Sequence, residues 1–137
     1  MSNGNPYLSV IIPSYRESER IGKNLLEIQE YLSQKNYSYE IIVITDGSPD
    51  DTPAVARGLV NQVKNLRVIE NKDNHGKGYV VRQGLLEAKG ELRLFLDADG
   101  STAITHLDTF LPEFEKGNDV VIGSRDIEGA FVQIHQP

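Results

Sequence analysis

The sequence of 137 residues contains no cysteine, has fewer basic than acidic side chains, and has no long apolar run. Without cysteine the chain has no disulfide framework, no thiolate zinc site and no cysteine nucleophile, which is compatible with a cytoplasmic location. The formal net charge of −6 argues against a nucleic-acid-binding protein, because such proteins normally present a basic stripe. No apolar stretch approaches the ~20 residues of a membrane-spanning helix, and residues 1–6 lack the apolar core of a signal peptide.

Apolar runs rich in β-branched residues alternate with amphipathic stretches along most of the chain. The pattern predicts strands at residues 8–12, 40–45, 66–70, 92–96 and 119–123, and helices at residues 18–34, 51–63, 79–88 and 105–115. We expect Pro13 to end the first strand and Glu17 or Ser18 to cap the first helix. Near-continuous apolar strands are typical of a parallel sheet with helices on both faces. The sequence therefore predicts one α/β domain with an open, doubly wound, mostly parallel sheet, whose ligands bind beyond the carboxyl ends of the strands.

Two aspartates, Asp97 and Asp99, follow the predicted fourth strand directly. Their spacing of two residues places both carboxylates on the same side of the strand end. Such a pair of oxygen ligands suits Mg²⁺ or Mn²⁺, which can also hold the phosphates of a ligand. The alternative is a turn with two solvated aspartates. Zinc is disfavoured, because His75, His106 and His135 lack the spacing of metal ligands.

Residues 74–78 read Asn-His-Gly-Lys-Gly and resemble a phosphate-binding loop. Glycines let backbone N–H groups approach an anion, and Lys77 would add positive charge where a helix begins. The pattern Gly-x-x-x-x-Gly-Lys-Ser/Thr is absent, and no Gly-x-Gly-x-x-Gly follows the first strand, so neither common nucleotide-binding loop is present. A flexible glycine loop that only precedes a helix is an equal alternative.

Three further side chains at predicted strand ends each have two interpretations. Arg125, after the fifth strand, meets a diphosphate with its planar guanidinium or pairs with Asp126 at the surface. Asp46, after the second strand, accepts hydrogen bonds from a base or ribose or only caps its turn. Tyr15, after the first strand, stacks on a base or covers the edge of the core.

Four segments, in order, resemble the motifs of the family 2 inverting glycosyltransferases, which have the GT-A fold. They are residues 9–17, residues 40–52, residues 74–84 and the Asp-Ala-Asp sequence at residues 97–99. Residues 97–102 and 121–125 are most similar to polyprenyl-phosphate sugar transferases, of which the dolichyl-phosphate glucosyl- and mannosyltransferases are the nearest type. One departure is Thr45, which stands where the second motif usually carries the first of two aspartates, so we expect base or ribose recognition to differ from the common pattern.

The resemblance implies a domain that binds a nucleotide diphosphate sugar, of the UDP-glucose or GDP-mannose type, together with Mg²⁺ or Mn²⁺. The implied site residues are, for the nucleotide, Pro13, Tyr15, Glu17, Asp46, Lys77 and Asp97; for the metal, Asp97 and Asp99; and for catalysis, Asp99 and Arg125. The implied reaction moves a hexose to an acceptor with inversion at the anomeric carbon.

The resemblance also favours a polyprenyl phosphate as acceptor. A lipid phosphate is already anionic near neutral pH and needs no general base, whereas a sugar hydroxyl needs one. The alternatives are a transferase acting on a sugar hydroxyl of a cell-surface polysaccharide and a non-catalytic module that binds nucleotide sugars. A nucleotidyltransferase is disfavoured, because residues 13–17 contain no glycine.

The resemblance extends over residues 8–125, and such transferases continue beyond the fifth strand. We therefore expect residues 1–125 to form the nucleotide-sugar-binding domain and residues 126–137 to begin an acceptor-side region of a longer enzyme. We expect that enzyme to be cytoplasmic, or held at the cytoplasmic face of a membrane by segments outside this sequence.

Overall fold

The computed structural model describes residues 4–100, 103–115, 121–123 and 131–133. Its elements, in chain order, are β1 (Leu8–Ser14), α1 (Ile21–Ser33), β2 (Tyr39–Asp46), α2 (Thr52–Arg57), β3 (Leu66–Asn71), α3 (Lys77–Glu87), β4 (Leu92–Phe95), α4 (Leu107–Glu115), β5 (Val121–Gly123) and β6 (Phe131–Gln133). A 3₁₀ turn at Ile104–His106 precedes α4. The chain divides into two units, Met1–Thr102 and Ala103–Pro137. Within the described ranges, no helix is both long and apolar enough to span a bilayer.

The first unit is built on a four-stranded sheet in the order β3-β2-β1-β4, and every neighbouring pair is parallel. The chain moves outward from β1 to β2 and β3, then crosses back to place β4 on the other side of β1. This reversal confirms the predicted doubly wound sheet. It also puts the topological switch point between β1 and β4, which is where open α/β sheets bind their ligands.

Helix α3 covers one face of the sheet. Ile11, Ile42 and Ile44 are fully buried there and form an apolar cluster with Val80 of α3 and with Ala88, the residue that follows the helix. The alternation of side chains along a strand sends the neighbouring residues of β1 and β2 to the opposite face. These are also fully buried, and they are Val10, Ile12, Ile41 and Val43.

Helix α1 presents the apolar stripe that the sequence predicts. Its residues Ile21, Leu25, Ile28 and Leu32 are all buried. It contacts α2, since a Cβ added at Gly22 would lie 3.6 Å from a methyl group of Val55. Helix α3 lies on the face of Ile11 and Ile42. A doubly wound sheet has helices on both faces, so we assign α1 and α2 to the opposite face.

Several predicted boundaries are wrong for identifiable reasons. Strand β1 continues through Pro13 to Ser14, because β1 pairs with β4 only over Leu8–Ile11 and the missing N–H of Pro13 faces the unpaired side. Helix α1 begins at Ile21 with Arg20 at its N-cap, and the Glu17 carbonyl, not a side chain, accepts the first N–H. Helix α2 ends at Arg57, well before the predicted residue 63.

The fifth strand also differs from its prediction. Strand β5 pairs antiparallel with β6, and the two form a separate two-stranded sheet. Strand β6 was not predicted, since three residues are too few to show a period-2 pattern. The first two residues of the predicted strand, 119–120, lie outside the described residues.

Candidate functional site

The Asp-Ala-Asp turn leaves the sheet where β4 ends. The Leu96 N–H still donates to the Ile11 carbonyl at 3.0 Å, so the chain departs from β1 immediately before Asp97. Ala98 is buried, with 2% of its surface exposed, whereas Asp97 is half-buried and Asp99 is exposed. A buried alanine between two accessible carboxylates fixes the turn to the core and leaves both acidic groups within reach of a ligand.

Lys77, at the first position of α3, brings its ammonium to this turn. Its Nζ lies 2.9 Å from Oδ1 of Asp97. The Asp97 carboxylate is thus placed where a cation can approach it, and two carboxylates form the hard oxygen donor set that Mg²⁺ and Mn²⁺ prefer. The described part of the chain has no group of three or more His, Asp or Glu side chains placed to hold a metal. Asp97 and Asp99 would therefore supply only part of the ligands of such a cation, and phosphates and water would have to supply the rest.

Asp46, the last residue of β2, is 4% exposed and is surrounded by donors from one loop. Its Oδ2 accepts the backbone N–H groups of His75 at 2.9 Å and Gly76 at 2.8 Å. Its Oδ1 accepts the Asn71 side-chain amide at 3.1 Å and lies 3.2 Å from Nδ1 of His75. The N–H groups of the glycine loop thus hold a carboxylate of the same chain, an interaction that its sequence pattern does not reveal.

These contacts decide the charge state of Asp46. Burial alone would raise its pKa, but the hydrogen bonds from Asn71, His75 and Gly76 together hold the pKa below its ordinary value. The carboxylate is therefore ionised at neutral pH and fastens residues 71–76 to the end of β2. Gly47 completes the fit, since its φ is +67° and an added Cβ would lie 2.4 Å from the Asn74 backbone nitrogen.

The side chain of Gln83 orients Asn71, which is one of the groups that donate a hydrogen bond to Asp46. The Asn71 and Gln83 side chains donate to each other, each at 2.8 Å, which fixes the direction of the Asn71 amide toward Asp46. The ring of His75, in the loop before α3, stacks on the ring of Tyr79 in α3 with centroids 4.2 Å apart. Sequence reasoning missed this network, because nothing in the spacing of Asn71 and Gln83 indicates that α3 returns to the end of β3.

The loop after β1 is held by side chains of the turn after β2. Asp50 organises that turn: its Oδ1 accepts the hydroxyls of Ser48 at 2.5 Å and Thr52 at 2.6 Å. These hydrogen bonds hold the pKa of Asp50 well below its usual range. The backbone N–H groups of the first loop bond the same cluster, and the pairs are Arg16 to Ser48, Glu17 to Thr52 and Ser18 to Asp50.

The three residues that we expect to bind the nucleoside lie in β1 and in the loop that the Asp50 cluster holds. Pro13 stands within β1, and Tyr15 is 43% exposed with the Arg16 guanidinium 5.4 Å from its ring centroid. Part of its ring is therefore accessible to solvent, and its stacking on a base stays a prediction. Glu17 forms an ion pair with Arg20. The structure thus places the three residues in one connected segment at the carboxyl end of β1.

The architecture and the ordered motifs are those of a known family. The family model described as "Glycosyl transferase family 2" matches residues 9–133. The chain belongs to glycosyl transferase family 2. It is 40% identical over 132 residues to a dolichyl-phosphate beta-glucosyltransferase of Drosophila melanogaster, an alignment that covers 86% of this chain and 40% of that protein. The chain spans about two fifths of the length of the curated relatives it matches.

Solved structures agree with the family assignment. A mannosyltransferase from Pyrobaculum calidifontis in complex with GDP-Man and Mn²⁺ has a TM-score of 0.58 and 27% identity, covering 71% of this chain and 28% of that one. S. aureus TarS 1-349 in complex with UDP-GlcNAc has a TM-score of 0.58 and 28% identity, covering 79% and 32%. These neighbours show that the sheet described above is the GT-A fold.

Two candidate site residues remain, Thr45 and Arg125. Thr45, at the position where an aspartate is common, is fully buried, and its hydroxyl has no hydrogen-bond partner among the described residues. Arg125 lies outside the described residues, so its predicted role stays a prediction.

A further residue at the site was missed in the sequence. Asn24 of α1 donates to the backbone carbonyls of Asp97 and Ala98, each at 3.3 Å. The available signal was a polar side chain one turn from Ile21 and Ile28 on an otherwise apolar helix face.

Proposed function

We propose that this chain binds a nucleotide diphosphate sugar and a divalent cation at the carboxyl end of its sheet, and that the protein transfers the hexose to a polyprenyl phosphate. The observation that carries the proposal is the Asp-Ala-Asp turn at the switch point, with Lys77 beside it. The dolichyl-phosphate beta-glucosyltransferases among its relatives support the acceptor class. The neighbours bound to GDP-Man with Mn²⁺ and to UDP-GlcNAc support a nucleotide-sugar donor.

In this proposal Asp97 and Asp99 hold Mg²⁺ or Mn²⁺, with Asp99 as the more direct ligand because its side chain is the more exposed. When bound, such a cation neutralises the charge that develops on the departing nucleoside diphosphate. When the ligand binds, the ammonium of Lys77 leaves the Asp97 carboxylate and pairs with a diphosphate oxygen. It therefore lies beside a negative charge both without and with the ligand. Its position at the start of α3 aims the helix N-terminus at the same phosphates.

Pro13, Tyr15 and Glu17 form the nucleoside side of the proposed site. Tyr15 offers an exposed ring for stacking on a base. We place Asp46 on the same side, and its contacts with His75 and Gly76 support a role in shaping the loop that precedes Lys77.

The proposed reaction is an in-line displacement at the anomeric carbon. A phosphate oxygen of the acceptor forms the new C1–O bond while the bond from C1 to the diphosphate breaks, and its electron pair leaves with the nucleoside diphosphate. Because the acceptor oxygen is already anionic, no general base is required. Arg125 is proposed to face the leaving diphosphate or the acceptor phosphate. Such an acceptor would bring the enzyme to a membrane surface, which is compatible with the predicted cytoplasmic face.

Calorimetry on the 137-residue chain tests the binding step. UDP, GDP, UDP-glucose and GDP-mannose are titrated with Mn²⁺ and again with EDTA. We expect one nucleotide series to bind with Mn²⁺ and to lose most of its affinity in EDTA or in Asp99→Asn. The matched control is Asp51→Asn, which removes an exposed carboxylate from the turn before α2, where it makes no capping hydrogen bond. Affinity that is unchanged in EDTA and in Asp99→Asn would contradict the metal assignment.

Transfer is measured separately, with radiolabelled sugar and a short-chain polyprenyl phosphate. Label that moves to the lipid supports the proposed acceptor, and label that moves only to a saccharide hydroxyl identifies the alternative transferase. Metal-dependent binding without transfer in the complete protein would identify a module that binds nucleotide sugars without catalysis.

A further inference from the structure

Asn24 is the polar member of an apolar helix face. The buried residues of α1 are Ile21, Leu25, Ile28 and Leu32, together with Asn24, which is 8% exposed. Burial of an amide without hydrogen bonds costs about 1–3 kcal/mol in proteins, so a buried asparagine at a core position must have partners. The identity of those partners shows what the residue contributes.

Both observed partners belong to the Asp-Ala-Asp turn. The Asn24 amide nitrogen donates to the carbonyl oxygens of Asp97 and Ala98, each at 3.3 Å. Gly100, with φ of +73°, completes the turn against the same side chain, since a Cβ added there would lie 3.6 Å from Oδ1 of Asn24. One side chain of α1 therefore holds the backbone of a segment more than seventy residues later in the sequence.

The position of these carbonyls matters because the two carboxylates flank them. The peptide units of Asp97 and Ala98 set the directions in which the Asp97 and Asp99 side chains leave the turn. The β4 ladder stops before them, since the last backbone bond from this strand to β1 comes from Leu96. Beyond that point, the hydrogen bonds from Asn24 support the backbone of the turn.

We propose that Asn24 is a positioning residue for metal-dependent nucleotide binding, acting through the backbone of the Asp-Ala-Asp turn. Its hydrogen bonds go to the backbone of the turn, so its proposed action is to orient the two carboxylates that this backbone carries. The inference rests on the proposed function. Removing a group that orients the ligands of a metal without touching the metal typically lowers metal affinity by about 10–100-fold.

The test compares Asn24→Leu with Ile28→Val in the 137-residue chain. Leucine has the same branched outline and number of side-chain heavy atoms as asparagine and keeps the face of α1 apolar, but it is bulkier and donates no hydrogen bond. Ile28→Val removes one methyl group from the same helix face and is expected to cost about 0.5–1.5 kcal/mol of stability without touching the turn. Asn24→Ala is the second variant, which truncates the amide without adding bulk to the core.

The readout is the ratio of UDP or GDP affinity in Mn²⁺ to affinity in EDTA, with the Mn²⁺ resonance spectrum as an independent signal. We expect the Asn24 variants to lower the Mn²⁺-supported affinity about tenfold or more, to leave the affinity in EDTA within about twofold, and to broaden the bound Mn²⁺ signal. Ile28→Val is expected to change none of these. An Asn24 variant that lowers both affinities equally, or neither, would show a purely structural role and overturn the inference.

Amide hydrogen exchange separates this inference from the proposed function. We expect exchange at residues 97–100 to accelerate in Asn24→Leu and Asn24→Ala, and not in Ile28→Val. Unchanged exchange in the Asn24 variants overturns the inference even if the chain binds no nucleotide. Metal-independent binding by the wild-type chain, with accelerated exchange in the variants, contradicts the proposed function and leaves the positioning of the turn supported.

Discussion

At the scale of single residues, Lys77 and Asp97 form the contact that connects the glycine loop to the acidic turn. The ammonium and the carboxylate are 2.9 Å apart, and both side chains remain partly in solvent. An exposed ion pair of this kind is worth up to about 1 kcal/mol. The contact is therefore weak enough for a divalent cation or a diphosphate to displace one of the two partners.

This competition predicts opposite effects for one substitution. Lys77→Met removes the group that competes for Asp97, so we expect affinity for Mn²⁺ alone to rise by roughly two- to fivefold, the equivalent of such an ion pair. The same variant loses an ammonium that can meet the diphosphate, so we expect UDP or GDP affinity in saturating Mn²⁺ to fall. Both affinities are measured by calorimetry.

Lys72→Met is the control, because Lys72 is an exposed lysine of the same loop, and removing it changes the net charge equally. We expect it to leave both affinities close to those of the wild-type chain. A fall of both affinities in Lys77→Met would mean that Lys77 does not compete with the cation.

At the scale of elements, α3 joins the core to the site. Its first residue is Lys77, the loop before it surrounds Asp46, and its middle lies directly on the sheet. Gly84 permits that approach: a Cβ added there would be 2.4 Å from Cγ2 of Ile11 and 3.3 Å from Cδ1 of Ile44. The position of the helix start therefore depends on a glycine two turns further along.

We expect Gly84→Ala to destabilise the chain by about 1–3 kcal/mol, even though alanine is the better helix former by about 1 kcal/mol. The reason is that the added methyl group meets a branched side chain that is fully buried. Urea unfolding measures the loss. Gly84→Ala combined with Ile11→Ala is expected to cost less than the sum of the two single changes, because the second substitution removes the clashing methyl group.

Gly78→Ala tests the same chemical change in the same helix without the clash, since a Cβ there meets nothing within 4 Å. We expect it to be neutral or to stabilise the chain by up to about 1 kcal/mol. Equal losses in the two variants would show that the sheet does not set the position of α3.

The sequence predicted elements well where a buried stripe determines them, as in β2 and α1. The prediction failed where backbone N–H groups bond side chains of distant segments instead of other backbone groups. The start of α1 is one such case, because three N–H groups before the helix bond Ser48, Asp50 and Thr52. The acidic turn was found from Asp97 and Asp99, but its support by Asn24 depends on a distance in space that periodicity does not encode.

At the scale of the whole molecule, two ionised aspartates connect the loops of the carboxyl edge. Asp46 fastens the loop before α3, and Asp50 joins the turn after β2 to the loop after β1. The pKa of each lies below the ordinary value of 3.8. Because the unfolded carboxyls bind protons more readily than the folded ones, both groups contribute stability that is present above pH 3.8 and is lost as the pH falls through their folded pKa values.

We therefore expect the free energy of unfolding to decline steeply with acidification below about pH 4, with Asp46 and Asp50 as contributors. Asp46→Asn should lower stability at pH 7 by about 1–3 kcal/mol, because the amide is uncharged and has one acceptor oxygen where the carboxylate uses two, so its NH₂ group meets an N–H donor. The decline of this variant should be shallower. Urea unfolding at a series of pH values measures both effects.

Asp51→Asn, from the neighbouring turn, is expected to follow the wild-type curve, since its side chain makes no capping hydrogen bond. A decline in Asp46→Asn as steep as that of the wild-type chain would show that protonation of Asp46 does not drive the acid transition.

The unequal lengths of β1 and β4 have one more consequence, for self-association. Pairing between them ends at Ile11 and Phe95, and β1 continues for three residues with one side uncovered by the described sheet. A strand edge with unpaired N–H and C=O groups can pair with a strand of another chain. Here the residue that faces outward after Ile11 is Pro13, which has no N–H to donate. The unpaired end of β1 can therefore face a small ligand without offering a full set of hydrogen bonds to a second strand.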